Sequence, residues 1–138
     1  MPRSKVLELG CGTGNLLKSV NPSYAGGIDI SKEIIKEAKK EHKEIKFFHG
    51  DISKLSSILD RNEKFDYIIL SDTIGYLEDI QTTLESLHQY CNKETRLIIS
   101  YYSPLWTPLL SLASILKLKL HNKNSTLLNP SDIKNFLS

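Results

Sequence analysis

The sequence predicts an α/β fold: three αβα layers built on an open, mostly parallel sheet. Three observations lead there. Five short apolar runs, starting near residues 6, 26, 45, 65 and 95, alternate with stretches whose apolar residues recur at helical spacing. That alternation is the mark of strands joined by right-handed helical crossovers. A glycine-rich turn, Gly10-Cys11-Gly12-Thr13-Gly14, separates the first run from the first helical stretch. Finally, Asp29, Asp51 and Asp72 close three of the later runs, on the sheet edge where open α/β folds bind ligands. A chain of 138 residues is one domain, 1–138, with enough length for a single core.

The first strand is Val6, Leu7 and Leu9, interrupted only by Glu8. Glycine at alternate positions then removes Cβ atoms where the backbone turns sharply and where a ligand approaches closely. The small side chain of Cys11 suits the same crowding. Asn15 to Val20 follows with helical spacing, so the unit is strand, glycine turn, helix, with the first N–H groups of the helix facing a pocket. A dinucleotide site requires Gly-x-Gly-x-x-Gly, but position 15 is Asn15. A nicotinamide-dependent oxidoreductase is therefore disfavoured.

The run Val-Leu-Glu-Leu-Gly-Cys-Gly-Thr-Gly at 6–14 closely resembles the first motif of class I, Rossmann-like S-adenosylmethionine-dependent methyltransferases. The resemblance extends over residues 5–102 and implies S-adenosyl-L-methionine as cofactor, with Glu8, Gly10, Cys11, Gly12 and Gly14 among the residues around it. Gly26-Gly27-Ile28-Asp29-Ile30 reads as a second strand. Asp29 falls about twenty residues after Gly10, where such a unit sets a carboxylate against ribose hydroxyls. With Ile30 and Ser31 it matches the family's second motif. Ser31 is also a fitting N-cap, with Glu33 in the first turn of a helix reaching about His42.

Residues 45–51 form a third strand ending in Gly50-Asp51. In the family this aspartate accepts from the adenine amino group and the next backbone N–H meets a ring nitrogen, roles that fall here on Asp51 and Ile52. Asp51 as N-cap of a short helix from Ser53 is the alternative, and both hold together. Residues 65–72 are a fourth strand, nearly continuous in apolar residues, as a strand covered on both faces should be. Its end resembles the fourth motif, which implies that carbonyls near Ser71 accept from the cofactor's ammonium. The loop after it brings Asp72 and Tyr76 toward substrate; for Tyr76, plain loop packing is the alternative. By position alone these two are the catalytic candidates. A helix over 79–91, a turn at Asn92-Lys93-Glu94 and a fifth strand over 95–102 complete the core. His49 and His88 have no spaced partner and read as structural or solvent-facing.

The tail changes character. Pro104 and Pro108 bracket an excursion, a leucine-rich helix runs from about 106 to 117 as a lid or sheet cover, and a last helix begins near Ser131. The family sheet has seven strands, and this sequence reads as a core without the last two and with no helices ahead of the first motif. The fifth strand then needs the tail helices or a partner subunit over its edge. Net charge is +2 and no basic stretch is interleaved with aromatics, so nucleic acid is not the expected partner. No run has the length of a membrane span. Cys11 and Cys91 lack metal-ligand spacing and read as reduced thiols of a cytoplasmic protein. The predicted activity is methyl transfer to an O, N or C nucleophile of a small or lipid-like acceptor. The alternative is a catalytically idle cofactor-binding domain or partner subunit.

Overall fold

Strand-forming runs with apolar residues on both faces must be covered on both sides, and the sheet they build is covered in that way. The computed structural model describes residues 3–73, 76–77 and 79–100. Its strands are β1 (Lys5–Leu9), β2 (Tyr24–Asp29), β3 (Lys46–His49), β4 (Phe65–Ser71) and β5 (Cys91–Ser100), and its α-helices are α1 (Asn15–Val20), α2 (Lys32–Glu41) and α3 (Ile80–Leu87). The strands lie in the order β3-β2-β1-β4-β5, and every pair is parallel. The predicted three-layer sheet is what forms.

Alternation along β1 sends Leu7 and Leu9 to one face and Val6 to the other. Leu7 and Leu9 pack with Ile28, Phe65, Ile68 and Leu70 against Leu84 and Leu87 of α3 and Leu55 of a 3-10 helix, Ile52–Ser57. Val6 packs with Ala25 and Ile69 against Leu17 of α1 and Ile35 and Ala38 of α2. Glu8 shares the side of Val6, beside Gly27 on β2 and Ile69 on β4. Two capping side chains set the helix starts. Ser31 Oγ accepts from the N–H of Ile34 ahead of α2, and Asp79 accepts from that of Thr82 ahead of α3, each satisfying a donor the helix leaves open.

Several boundaries differ from expectation: β3 stops at His49 and β4 at Ser71, each short of the aspartate expected to close it. β2 starts at Tyr24 and stops at Asp29, where the chain turns into the Ser31 cap, so Ile30 lies outside the strand. The helix expected over 79–91 ends at Leu87, and a tighter 3-10 turn, His88–Tyr90, delivers the chain to β5. The expected turn at Asn92-Lys93-Glu94 sits inside β5 as a bulge. Cys91 pairs with Phe65 and Arg96 with Tyr67, so three extra residues stand between two paired positions. Thr95 Oγ1 accepts from the Asn92 N–H and donates to the Phe65 carbonyl, holding the bulge shut. Tyr101, Tyr102 and the tail excursion and helices lie outside the described residues. No helix among the described residues is long and apolar enough to cross a membrane.

Candidate functional site

The site begins with the glycine turn. Gly10, Gly12 and Gly14 have φ of 75°, 53° and 83°, the left-handed region in which a Cβ is costly. Alternating these with ordinary residues folds the chain back over the ends of β1 and β2. The amides of Gly10 and Cys11 donate to the Ile28 carbonyl at 2.8 and 3.0 Å, and the Gly12 amide donates to Asp29 Oδ2 at 2.9 Å. The other oxygen, Oδ1, accepts from the Ser31 amide at 2.9 Å. Asp29 is thus a two-handed clamp between the turn and the cap of α2, with further lone pairs on both oxygens.

The three glycines are not equivalent. A Cβ on Gly10 would overlap the Thr73 hydroxyl and stand 2.8 Å from its Cγ2, and one on Gly14 would overlap the Phe47 ring. At Gly12 nothing among the described residues lies within 4 Å. Gly10 and Gly14 are glycine because protein fills the space, whereas Gly12 opens onto a free surface of the turn. That open backbone is a place for a ligand to come close.

The other expected residues follow along the same edge. The Asp29 carbonyl accepts from Gly50 N–H at 3.0 Å, which brings the end of β3 beside the end of β2. Asp51 then caps the 3-10 helix, its Oδ1 accepting from the Ser53 amide at 2.9 Å, and that bond holds its carboxyl below the usual range. The capping role expected for Asp51 is present. Ile52 turns its side chain into the core, while Ile30 beside Asp29 is 72% exposed, an apolar surface at the mouth of the turn. His49 is exposed and its Nε2 lies 3.1 Å from the Ile30 carbonyl.

At the end of β4, Ser71 pairs with Ser100. Its carbonyl accepts from Thr73 Oγ1 at 2.9 Å, and the same hydroxyl lies 3.1 Å from the Leu9 carbonyl. Thr73 therefore ties the loop after β4 to the start of the glycine turn. Sequence reasoning missed it, because its two neighbours at Gly10 and Leu9 are more than sixty residues away and no local pattern marks the contact. Asp72 is exposed, at φ 52°, with its amide donating to the Ser100 carbonyl at 3.1 Å. Tyr76 is half exposed and its amide donates to the Thr73 carbonyl. Asp72 and Tyr76 both follow β4, beyond the carboxyl end of that strand.

Beneath the turn lies the one charged side chain in β1's buried run. Glu8 is 3% exposed and its Oε2 is without a hydrogen-bond partner. Burial, and then the charge of Asp29, push its carboxyl up from 4.5 to about 7. Burial, with the charges of Glu8 and Asp29, likewise pushes the Cys11 thiol up to about 12, so Cys11 stays a neutral filler. Both cysteines are free thiols. Among the described residues no cluster of His, Cys, Asp and Glu is arranged to hold a metal ion.

Known proteins resemble this chain in both sequence and fold. The profile of a methyltransferase domain family matches residues 2–134. A malonyl-[acyl-carrier protein] O-methyltransferase of Halalkalibacterium halodurans is 28% identical over 110 residues, covering 75% of this chain and 40% of that protein. A demethylmenaquinone methyltransferase of Streptomyces avermitilis is 27% identical over 110 residues, covering 78% of this chain and 46% of that protein. The chain thus spans less than half the length of these curated relatives. Among solved structures, the plantazolicin methyltransferase BamL, in complex with a triazolic desmethylPZN analogue and SAH, has a TM-score of 0.78 at 20% identity, over 96% of this chain and 52% of that one. A protein of Pyrococcus horikoshii OT3 has a TM-score of 0.76 at 21% identity, over 97% of this chain and 73% of that one.

Proposed function

From the premise that the chain belongs to the methyltransferase domain family, we propose that it binds S-adenosyl-L-methionine and supports methyl transfer to a small or lipid-like acceptor. The observation that carries this reading is the glycine turn clamped to Asp29, with Gly12 as its one glycine facing open space. A cofactor lying across Gly12 has the second lone pairs of Asp29 within its reach for two ribose hydroxyls. Ile30 offers an apolar surface for the adenine ring. Asp51 has a second carboxylate oxygen for the exocyclic amine, and the amide of Ile52 stands next in the chain.

When bound, this cofactor supplies an electrophilic methyl group on a sulfonium, ready for in-line transfer to an O, N or C nucleophile. The work left to the protein is positioning and exclusion of water. Ser71 presents its carbonyl toward the ammonium end. Thr73 fixes the loop after β4 against Gly10, so the same loop that carries Asp72 and Tyr76 is registered to the cofactor turn. Asp72 is the group assigned to take or hold the acceptor's proton, and Tyr76 the group assigned to orient the acceptor. The two named relatives act on an acyl-carrier-bound malonyl group and on demethylmenaquinone by their names, which supports a small or lipid-like acceptor.

Calorimetry with S-adenosylhomocysteine and with NADH tests the cofactor. Binding of the first and not the second is expected, and tight NADH binding alone would overturn the reading. A methyl-transfer assay over carboxylate, phenol, thiol and amine acceptors tests the chemistry. Cofactor binding without turnover on any acceptor would favour the idle domain or partner subunit instead.

Asp29→Asn gives a sharper test of the site. The amide cannot accept from both Gly12 and Ser31 as the carboxylate does, and loss of a charge-assisted hydrogen bond is worth about 1–3 kcal/mol. S-adenosylhomocysteine should bind about ten- to hundredfold more weakly. An analogue lacking both ribose hydroxyls should bind wild type and variant more nearly alike. If the variant weakens both ligands equally, Asp29 positions the turn and does not read the ribose.

A further inference from the structure

Thr73 has one hydroxyl hydrogen and two carbonyls within reach of it. The sheet runs β3-β2-β1 to one side and β4-β5 to the other, so β1 and β4 flank the point where the strand order reverses. Open α/β sheets take their ligands outside the carboxyl ends of the strands at that point. The Asp72 amide points to β5, where it donates to the Ser100 carbonyl at 3.1 Å. Across a trans peptide unit the carbonyl points the opposite way, which turns the Ser71 carbonyl toward β1. Thr73 Oγ1 fills the gap, 2.9 Å from that carbonyl and 3.1 Å from the Leu9 carbonyl at the end of β1. It rests against the bare Cα of Gly10, where a Cβ would overlap it.

A single O–H cannot give a full hydrogen bond to both carbonyls at once. The two choices differ in what they hold. A bond to Ser71, two residues back, ties the loop only to its own strand. A bond to Leu9 ties it to β1, 64 positions away in sequence, and to the start of the glycine turn. Whichever carbonyl the hydroxyl leaves has a lone pair for another donor. A primary ammonium has three donors and no acceptor, and the proposed cofactor carries one in its methionine half.

We propose that Thr73 is a positioning residue that couples the cofactor's α-ammonium to the loop after β4. With the ammonium donating to the Ser71 carbonyl, the Thr73 hydroxyl turns about its Cβ–Oγ1 bond and gives its hydrogen to Leu9. Hydrogen bonds are exchanged, and no covalent bond is made or broken. The loop that begins at Asp72 is then fastened to β1. Tyr76 is fastened with it, because its amide donates to the Thr73 carbonyl at 3.0 Å. This role rests on the cofactor reading above, and adds that the amino group of the ligand, and not occupancy alone, sets the loop.

Amide hydrogen exchange read by nuclear magnetic resonance tests it without an acceptor. S-adenosylhomocysteine at saturation should slow exchange at Tyr76 about three- to tenfold, the worth of one hydrogen bond, beyond any slowing at Leu70 in β4, which measures global stabilisation. 5′-S-(3-Carboxypropyl)-5′-thioadenosine is the same ligand without its α-amino group. At saturation it should leave Tyr76 no slower relative to Leu70 than in the free protein. With S-adenosylhomocysteine, Thr73→Ser should keep the extra slowing at Tyr76 and Thr73→Val should lose it. The wild-type comparison of the two ligands holds even where the valine variant folds poorly.

Equal slowing at Tyr76 by both ligands would overturn the proposal, and so would bound S-adenosylhomocysteine that slows Tyr76 no more than Leu70. A folded Thr73→Val protein that keeps the extra slowing would overturn it as well. Failure of S-adenosylhomocysteine to bind would instead overturn the cofactor reading, and the role of Thr73 with it.

Discussion

Gly12→Ala should leave a folded protein that has lost its cofactor, while Gly10→Ala should lose the fold first. Both residues are left-handed, at φ 53° and 75°, and an alanine there carries about 1–2 kcal/mol of backbone strain. At Gly12 the strain stands without a clash, because nothing among the described residues lies within 4 Å of the new Cβ. At Gly10 the methyl group overlaps Thr73 Oγ1. Overpacking of that kind adds about 1–3 kcal/mol. Displacing Thr73 also strips the hydroxyl from the Leu9 and Ser71 carbonyls, about 1 kcal/mol more. Denaturant unfolding should therefore separate the two variants by about 2–4 kcal/mol. Calorimetry should order them the other way where folding permits. S-adenosylhomocysteine should bind Gly12→Ala more than about tenfold more weakly, since a methyl group fills the surface on which it lies. Wild-type affinity in Gly12→Ala would mean that the cofactor does not cross the turn there.

That contrast marks the limit of what the sequence made legible. Three alternating glycines behind a strand announce a tight turn and a close approach, and the helix after it begins and ends where the spacing of Leu16, Leu17 and Val20 puts it. Periodicity works because α1, α2 and α3 each bury one face. It cannot say which glycine is forced by protein and which is left for a ligand. Thr73 and Phe47 decide that, one arriving from the loop after β4 and the other from β3. Asp51 shows a second limit. A carboxylate at a strand end before a serine satisfies two roles with one residue type, and only the bond to the Ser53 amide makes one of them visible. At Asn92-Lys93-Glu94 the turn chemistry was real, but Thr95 kept the chain in the sheet by bonding to Phe65. Local propensity shaped the bulge, and strand pairing with β4 kept it inside a strand.

The buried carboxyl of Glu8 should make the protein less stable as pH rises. Glu8 titrates at 4.5 in an unfolded chain and at about 7 in the folded one. Between those values the native state holds a proton that the unfolded state has lost, so raising pH favours unfolding, and the loss is complete once pH exceeds 7. The difference amounts to about 2–3 kcal/mol between pH 5 and pH 8. Asp51 and Asp79 act in the opposite sense, since their carboxyls are held below the usual range by the Ser53 and Thr82 amides. The stability they contribute is present above the unfolded carboxylate range and is lost in stronger acid. Stability should therefore peak near pH 5 and fall toward neutrality, and Glu8→Gln, with nothing to ionise, should remove the falling limb. Urea unfolding of both proteins at pH 5, 6, 7 and 8 checks it, and parallel curves would show that Glu8 is already paired in the free protein.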